Sequence, residues 1–255
     1  MPQAERIPTN LRTLMIVEVL GRSDGAMTAT EINSALGLPK QTVHRLCTTL
    51  EAAGFLMRQG SNSKRYLPAR RLRDLGAGLL FSSHSHIARH QVLLDVARQV
   101  RETVNFVVPE ETGMSYLDRV ETDWPFRIQL PVGTNVPFHC TASGKAYMAS
   151  LPPATRRGFV AGLDLERLTA RTHTSAEPLL DDLALTARRG YALDDEEFMD
   201  GMVAIAVPVV DAKGRYVASL AFHGPVQRIS IEHAIARKEV LLDGARRLRD
   251  ALLGT

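Results

Sequence analysis

Apolar residues recur every three or four positions along the first part of the chain, a spacing that predicts short amphipathic helices. A first helix ends near Gly21, and a second runs from Thr28 to Gly37. Thr28 is followed three positions later by Glu31, which is the spacing of a capping box, and Gly37 suits the left-handed conformation that ends a helix. The predicted buried face of the first helix consists of Leu11, Leu14, Met15 and Val19.

A third helix is predicted directly after Pro39, whose missing N–H group is harmless in a first turn. Val43, Leu46 and Leu50 form its buried stripe. The opposite face carries amide, hydroxyl and basic side chains, which are the groups that hydrogen-bond base edges and phosphates. Two short helices joined by a tight turn, the second polar and basic on its outer face, indicate a helix-turn-helix.

The segment FLMRQGSNSKRYLP, which follows Gly54, contains two strand-like pieces on either side of a turn-forming cluster. A basic hairpin beside the polar helix is typical of a winged helix-turn-helix, and we predict such a domain over residues 1–68. Its candidate DNA-contacting residues are Thr28, Lys40, Gln41, Thr42, His44, Arg45, Thr48, Arg58, Lys64 and Arg65.

Residues 69–103 are helical in pattern apart from the interruption SSHSH. We predict a linker helix over residues 69–85, followed by the first helix of a second domain. Exposed leucines on such a linker suit packing against a partner subunit. Three histidines lie close together here, at His84, His86 and His90. No Asp, Glu or Cys is spaced to complete a set of metal ligands, so we interpret them as a solvated helix start and predict no metal site.

From Val104 onward, runs of β-branched and aromatic residues bounded by Gly, Pro and Asp predict strands. The strands are VNFVVPE, GMSYLDRVE, FRIQLPVG, GYALDDEE, MVAIAVPVV and RYVASLAFHG, and helices are predicted at about 142–150, 153–161, 177–189 and 230–252. Because the strands come in neighbouring pairs, the pattern favours an α+β domain with a mainly antiparallel sheet over residues 86–255. A cleft between such a sheet and its helices is a natural site for a small molecule.

Composition and charge are consistent with two modules of different character. Hydrophobic residues make up 45% and charged residues 23% of the chain, as in ordinary globular proteins. Residues 1–83 contain 11 Lys and Arg against 6 Asp and Glu, a net charge of +5, whereas residues 84–255 contain 20 against 22, a net charge of −2. A basic module beside a neutral one indicates a polyanion as the partner of the first. Two distant cysteines and no apolar signal core lead us to expect a cytoplasmic protein.

The stretch VGTNVPFHCTASGKAYMAS concentrates chemically reactive side chains, but their spacing fits no catalytic or nucleotide-binding motif. A phosphate loop needs glycine at His139 and a hydroxyl residue at Ala146. A serine–lysine nucleophile needs serine at Ala142, and the adjacent His139 and Cys140 do not bring an imidazole and a thiol together. We therefore predict no catalytic residue and no cofactor, and we expect that the chain is not an enzyme.

Two interpretations of this stretch stay open. Thr141 is a suitable N-cap residue for a helix whose first N–H groups, on Ala142, Ser143 and Gly144, attract a carboxylate or phosphate. Alternatively, the small residues only allow the helix to approach the sheet closely. The residue pattern favours the two interpretations about equally.

Three separated motifs together resemble the IclR family of transcriptional regulators. They are GLPKQTVHRL followed by LEAAGF, the pattern G-x-x-x-P-x-H-x-T-A-x-G-K-A over Gly133–Ala146, and GYALDDEEFMDGMVAIAVPV. The resemblance covers nearly the whole chain and implies a winged helix-turn-helix, a linker helix and a GAF-like effector domain. It also implies dimers that pair into tetramers, near-palindromic double-stranded operator DNA, and small organic acids or aromatic compounds as effectors. We expect control of a catabolic operon, with repression and activation both open.

The resemblance further implies which residues line the effector pocket. They are Phe126, Ile128, Val136, Ala142, Ser143, Asp194, Met202, Ala204, Ala221 and His223. Where relatives can have serines at two inward positions of the last strand, this chain has Ala221 and His223. Our hypothesis is that a carboxylate effector is held between the helix N-terminus and His223, an imidazole that can be charged near neutral pH. Asp194 then meets a hydroxyl or carbonyl-hydrate group. Two alternatives stay open: His223 as a satisfied strand-end histidine, and Asp194 as a turn residue that caps the strand entry.

Overall fold

The computed structural model describes residues 7–23, 25–60, 63–82, 84–125, 128 and 130–253 of the 255-residue chain. The chain divides into two compact units, Met1–Ser82 and Ser83–Thr255. None of the helices within the described ranges combines the length and the apolar character needed to span a bilayer.

The first unit is a winged helix-turn-helix. Its three strands form an antiparallel sheet in the order β1-β3-β2, and the β2–β3 hairpin is the wing. The helices are α1 (Thr9–Gly21), α2 (Ala29–Leu36), α3 (Lys40–Ala52) and α4 (Arg70–Ser82), and the strands are β1 (Met27–Thr28), β2 (Leu56–Arg58) and β3 (Arg65–Pro68).

Local signals define the helix ends in this unit. The Thr28 hydroxyl accepts a hydrogen bond from the Glu31 N–H at 3.2 Å, and the Glu31 carboxylate accepts one from the Thr28 N–H at 2.6 Å. Gly37 ends α2 with a φ of 63°. The predicted capping box and the glycine that ends the helix are therefore both confirmed.

The predicted buried face of α1 is wrong at Leu11 and Leu14, which are 45% and 65% exposed. Val19 does pack against the core, but the residues that the helix buries fully are Ile16 and Leu20. The segment LRTLMIVEVL is apolar on nearly every side, so its periodicity does not determine which side faces the core. The core of this unit consists of Ile16, Leu20, Ile32, Val43, Cys47, Leu50, Leu56 and Tyr66.

The second unit is a six-stranded antiparallel sheet covered by helices on both faces. The strand order is β6-β5-β4-β9-β8-β7, and every neighbouring pair is antiparallel, as the sequence predicts. Its elements are α5 (His84–Val100), β4 (Thr103–Pro109), β5 (Met114–Val120), β6 (Asn135–Val136), α6 (Ala142–Ser150), α7 (Pro153–Ala161), α8 (Ala176–Arg189), β7 (Ala192–Asp195), β8 (Met202–Val210), β9 (Tyr216–Pro225), α9 (Ile231–Ala236) and α10 (Lys238–Leu253).

Two elements differ from the sequence prediction. The described residues of FRIQLPVG are not in a strand, and the short strand β6 begins only after Gly133, whose φ is 87°. In this segment the carbonyls of Ile128 and Leu130 accept hydrogen bonds from the Arg119 guanidinium rather than from a neighbouring strand. The predicted helix over 230–252 is two helices, α9 and α10, separated at Arg237.

The two faces of the sheet have different side chains. Val203, Ile205 and Val207 pack with α5 and α10 in the large apolar core. Successive side chains of a strand point to opposite faces, so the alanines between them face α6. Six buried alanines form this second layer: Ala142, Ala146, Ala192, Ala204, Ala206 and Ala221. Side chains this small allow α6 to lie close to the sheet.

The start of α6 is also in close contact with the preceding loop. A Cβ atom on Gly144 would lie 2.3 Å from the carbonyl oxygen and 2.5 Å from the Cα of Phe138. Only glycine fits against this backbone without displacing it. The small residues of the motif thus serve close packing, which was one of the two interpretations left open by the sequence.

Candidate nucleic-acid interface and ligand pocket

Helix α3 presents its polar face to solvent. Thr42 is partly buried, and the exposed Thr48 donates its hydroxyl to the carbonyl of His44 at 3.1 Å. A helix of this length spans ~20 Å, which suits the DNA major groove. The exposed predicted residues on this face are Lys40, Gln41, His44, Arg45 and Thr48.

Two wing arginines that the sequence assigned to DNA contacts are bound to the protein itself. Arg58 pairs with Glu51 at 2.9 Å, donates to the Tyr66 hydroxyl at 3.0 Å and lies over the Tyr66 ring. Arg65 donates to the carbonyl of Ala26 at 2.6 Å. These arginines fix the wing against the helices, and the Thr28 side chain is likewise engaged as a cap. Lys64 is exposed on the wing.

The second unit contains a small cavity of about 20 Å³ between the N-terminus of α6 and the sheet. This volume is roughly enough for one or two water molecules. Asn105, Tyr116 and Phe198 also line it, and the sequence prediction missed them. The predicted pocket residues that line the cavity are Ala142, Ser143, Asp194, Met202, Ala204, Ala221 and His223.

Strand register explains how these residues meet. Asp194 on β7 pairs with Ala204 on β8, which pairs with His223 on β9. Asp194 and His223 are therefore two strand spacings apart, about 10 Å, on either side of an alanine. Asn105 on β4 pairs with Ala221 on β9, so it adds a polar side chain on the next strand after the one that carries His223. The cavity thus has a small apolar floor with polar groups at both ends.

The remaining predicted pocket residues lie elsewhere. Val136 is buried in the apolar cluster under α6 and α8 and does not line the cavity. Ile128 is partly buried and reaches this region through its carbonyl, which lies 3.5 Å from His223 Nε2. Phe126 lies outside the described residues.

The N-terminus of α6 forms one wall of the cavity. The Thr141 hydroxyl accepts a hydrogen bond from the Gly144 N–H at 3.1 Å and donates to the carbonyl of Pro137 at 2.7 Å. The first N–H groups of a helix have no acceptor within the helix. Thr141 accepts the N–H group of Gly144, which leaves the N–H groups of Ala142 and Ser143 without an acceptor in the helix. Ala142 and Ser143 both line the cavity.

Asp194 is a buried carboxyl group with one satisfied oxygen. Its Oδ1 accepts hydrogen bonds from the N–H groups of Glu197 and Phe198, at 2.8 and 3.2 Å. Within the described part of the chain, its Oδ2 has no hydrogen-bond partner. Burial, followed by the negative charge of Glu197, raises the pKa of Asp194 to about 7. Near neutral pH this group therefore exists in both the protonated and the ionised form.

His223 differs from the sequence hypothesis, which made it a charged ligand for a carboxylate. Complete burial, followed by the positive charge of Arg119, lowers its pKa to about 4. Its Nδ1 lies 3.1 Å from Asn105 Nδ2, and its Nε2 lies 3.5 Å from the Ile128 carbonyl. The imidazole is therefore neutral at physiological pH, and both nitrogens already have protein partners.

Lys145, the lysine of the motif, is buried in an ion-pair cluster. Its ammonium lies 2.7 Å from Asp182 on α8 and 2.5 Å from Glu197 in the turn after β7. Burial opposes the charged form, but the two carboxylates outweigh it and raise the pKa of Lys145. His173 lies near the same carboxylates, at 3.8 and 3.9 Å. Because the Lys145 ammonium, together with the Arg189 guanidinium 3.6 Å from Asp182, already pairs with both carboxylates, this group gives no reason to infer a metal ion.

The neighbouring His139 and Cys140 have structural roles. His139 Nε2 is 2.9 Å from the carbonyl of Glu166. Burial raises the pKa of the Cys140 thiol to about 12, so the thiolate that a nucleophile requires is not formed near neutral pH. In the predicted histidine cluster, His90 is 3.0 Å from Asp118, which also pairs with the buried Arg89.

A winged helix-turn-helix joined to an α+β domain with an enclosed polar cavity defines a DNA-binding regulator with a ligand-binding domain. The family model "Bacterial transcriptional regulator IclR C-terminal" matches residues 82–249, and "IclR helix-turn-helix domain" matches residues 11–60. The chain belongs to the IclR family of transcriptional regulators.

Relatives and solved structures agree with this assignment. The chain is 38% identical over 222 residues to "Probable transcriptional regulator SauR" of Cupriavidus necator, covering 87% of this chain and 88% of the relative. It is 29% identical over 231 residues to "Transcriptional repressor IclR" of Escherichia coli, covering 90% and 84%. A Microbacterium hydrocarbonoxydans IclR homolog complexed with 4-hydroxybenzoate has a TM-score of 0.59 and 26% identity, covering 97% of this chain and all of that one.

We predict that Lys145→Met destabilises the protein by ~3–5 kcal/mol, because it leaves the buried carboxylate of Glu197 without its ammonium partner and Asp182 with only Arg189. Urea unfolding of the full chain measures this loss. Lys213→Met, at an exposed turn residue, is the matched control and leaves the unfolding free energy nearly unchanged. A loss below about 1 kcal/mol for Lys145→Met contradicts a structural role for the ammonium.

We predict that Asp194→Asn becomes increasingly stabilising, relative to the wild type, as pH rises from 4 to 8. In the wild type the folded carboxyl group keeps its proton up to a pKa of about 7, whereas the unfolded group loses it near 3.8. Folded stability therefore falls as pH rises through this window. A shift of about three pKa units corresponds to ~4 kcal/mol. Urea unfolding at pH 4, 6 and 8 measures the difference, and a pH-independent difference contradicts the raised pKa.

Proposed function

We propose that the C-terminal domain senses a small organic acid and that the bound acid changes the affinity of the N-terminal domain for its operator. The observation that carries this proposal is the convergence of the α6 N-terminus and the buried polar groups of β4, β7 and β9 on one cavity. We further propose control of a catabolic operon in the cytoplasm, with an aromatic acid as one option. The solved relative bound to 4-hydroxybenzoate supports that option.

The acid group is assigned to the α6 N-terminus. The N–H groups of Ala142 and Ser143, together with the positive end of the helix dipole, supply an anion site without a charged side chain. His223 is neutral and has protein partners on both nitrogens, so we no longer assign it to the carboxylate. Asp194, which lines the same cavity and whose Oδ2 has no hydrogen-bond partner among the described residues, suits a hydroxyl or carbonyl-hydrate group of the same ligand.

The small cavity suggests how binding is transmitted. A ligand with several non-hydrogen atoms exceeds a volume of about 20 Å³, so it must displace lining elements. A ligand shifts a conformational equilibrium only by binding one arrangement better than another. An expanded pocket is such an arrangement, and α6 and the turn after β7 are the elements that would move.

For the DNA-binding side we propose a winged helix-turn-helix over residues 1–68, a linker helix over 69–85 and an effector domain over 86–255. Dimers, and pairs of dimers, would place two α3 helices in successive major grooves about 34 Å apart on a near-palindromic operator. Residues of the polar α3 face contact base edges and phosphates. Arg58, Arg65 and Thr28 contribute mainly by holding the wing and α2 in place.

We predict that Arg45→Ala weakens binding to a duplex selected by the wild-type protein from a random-sequence pool by tenfold or more. The Arg45 side chain is exposed on α3, and a lost base or phosphate contact costs ~1–3 kcal/mol. Fluorescence anisotropy at fixed salt concentration measures the dissociation constant. Arg157→Ala, at an exposed position on α7, is the control and retains wild-type binding. A change below twofold for Arg45→Ala contradicts the assignment of α3 as the recognition helix.

We predict that Ala142→Pro weakens acid binding by tenfold or more, because it removes one N–H group at the first position of α6. Proline is tolerated there, since Thr141 has the extended conformation that proline requires of the preceding residue. Calorimetric titration of the full chain with propionate, lactate, benzoate and 4-hydroxybenzoate measures the effect. Ala176→Pro makes the same change at the first position of α8, after an extended Ser175, and leaves acid binding unchanged.

Two outcomes contradict the sensor proposal in different ways. Wild-type affinity in Ala142→Pro shows that the α6 N-terminus does not hold the acid group. Failure of every acid in the panel to bind the wild type, with unchanged operator affinity in its presence, contradicts an organic-acid effector.

A further inference from the structure

Asn105 is a cavity residue whose chemistry identifies one more group on the ligand. This inference rests on the pocket proposed above. Asn105 lies on β4, is 1% exposed and has apolar neighbours, Val104 and Phe106, on both sides in the strand. Its Nδ2 is 3.1 Å from His223 Nδ1, and its Oδ1 has no hydrogen-bond partner among the described residues.

The orientation of the Asn105 amide follows from the protonation of His223. A neutral imidazole carries its proton on one nitrogen and accepts on the other. The carbonyl of Ile128 only accepts hydrogen bonds, so the nitrogen that faces it, Nε2, carries the proton. Nδ1 is then an acceptor, and the group facing it must be the amide N–H of Asn105. The amide oxygen is therefore directed away from His223, on a residue that lines the cavity.

A buried hydrogen-bond acceptor without a partner lowers the stability of the folded protein by ~1–3 kcal/mol. We therefore expect such an acceptor to receive a hydrogen bond from a donor on the ligand. Asn105 Oδ1 and Asp194 Oδ2 are both such acceptors, and both belong to residues that line the cavity. The neighbouring Arg119, which pairs with Asn105 across β4 and β5, brings a positive charge that disfavours an ammonium group as the donor. A neutral hydroxyl group meets these conditions.

We propose that Asn105 is a specificity residue that accepts a hydrogen bond from a ligand hydroxyl group, so that the pocket selects hydroxycarboxylic acids over the corresponding plain acids. The acid group lies at the α6 N-terminus and the hydroxyl group at the β4–β9 side. A site built to bond a hydroxyl group discriminates strongly against the analogue that lacks it, because its polar group is then left buried and unpaired.

Matched pairs of acids test this assignment on the full chain by calorimetric titration. The pairs are lactate with propionate, and 4-hydroxybenzoate with benzoate. The wild type is expected to prefer the hydroxylated member of at least one pair by tenfold or more. Asn105→Leu is expected to reduce that preference to threefold or less. Asn135→Leu, the same substitution at an exposed β6 residue, keeps the wild-type preference.

A second measurement needs no variant of Asn105 and therefore does not depend on how that variant folds. Nitrogen-15 NMR of histidine-labelled wild-type protein, with the His223 signals assigned by their loss in His223→Gln, reports which ring nitrogen is protonated. Protonation at Nε2 is expected. Protonation at Nδ1 turns the amide around and overturns the inference.

The outcomes separate this inference from the acid-sensor proposal. Equal binding of plain and hydroxylated acids by the wild type overturns the role of Asn105 but leaves the sensor intact. A preference for the hydroxylated acid that persists in Asn105→Leu likewise overturns the role of Asn105 and leaves the sensor proposal intact. Absence of binding by all four acids overturns both.

Discussion

The buried ammonium of Lys145 is the contact on which the geometry of the ligand pocket depends. It joins α6 to Asp182 on α8 and to Glu197 in the turn after β7. The N–H of Glu197 in turn donates to Asp194, so the same turn that holds the ammonium also orients the pocket carboxyl group. The α6 N-terminus and Asp194 are thus positioned by one cation. An ion pair of this kind contributes little net stability compared with apolar packing, but its loss is costly because it leaves charges unpaired. Its value lies in fixing two pocket walls relative to each other.

The alternation of side chains along β8 and β9 explains why the cavity exists at this position. Large β-branched residues such as Ile205 fill one face and pack with α5 and α10. On the other face Ala204 and Ala221 leave space under α6, while Gly144 lets the start of that helix contact the backbone of Phe138. A close helix over a floor of alanines gives a small compartment. Burial in this compartment raises the pKa of Asp194 and lowers that of His223, because it disfavours the charged form of each.

The sequence predicts best those features that local chemistry determines. The capping box at Thr28, the antiparallel sheet and the helix start after Thr141 follow from residue spacing alone. The buried face of α1 does not, because an all-apolar helix has no preferred side until the rest of the core is present. The residues that line the pocket were predicted from the resemblance to the family. The charge of His223 depends on burial and on Arg119, and no local sequence pattern reveals either. Asn105 was missed for a related reason: a single polar residue within an apolar strand shows its role only when the neighbouring strand brings His223 to its side chain.

The neutral character of the pocket has a consequence for how an acid binds. An acid bound at the α6 N-terminus, as proposed, would introduce a negative charge into the cavity that Asp194 also lines. Like charges in a buried site raise the pKa of a carboxyl group further. Asp194 already has a pKa of about 7, so above this pH acid binding is accompanied by proton uptake. Linkage is reciprocal, which means that affinity for the acid decreases as pH rises above neutrality. A protonated Asp194 then donates from Oδ2, whereas Asn105 can only accept at its free oxygen. In the proposed pocket, Asp194 therefore selects a hydrogen-bond acceptor on the ligand and Asn105 selects a donor. The pocket thus favours one orientation of the ligand.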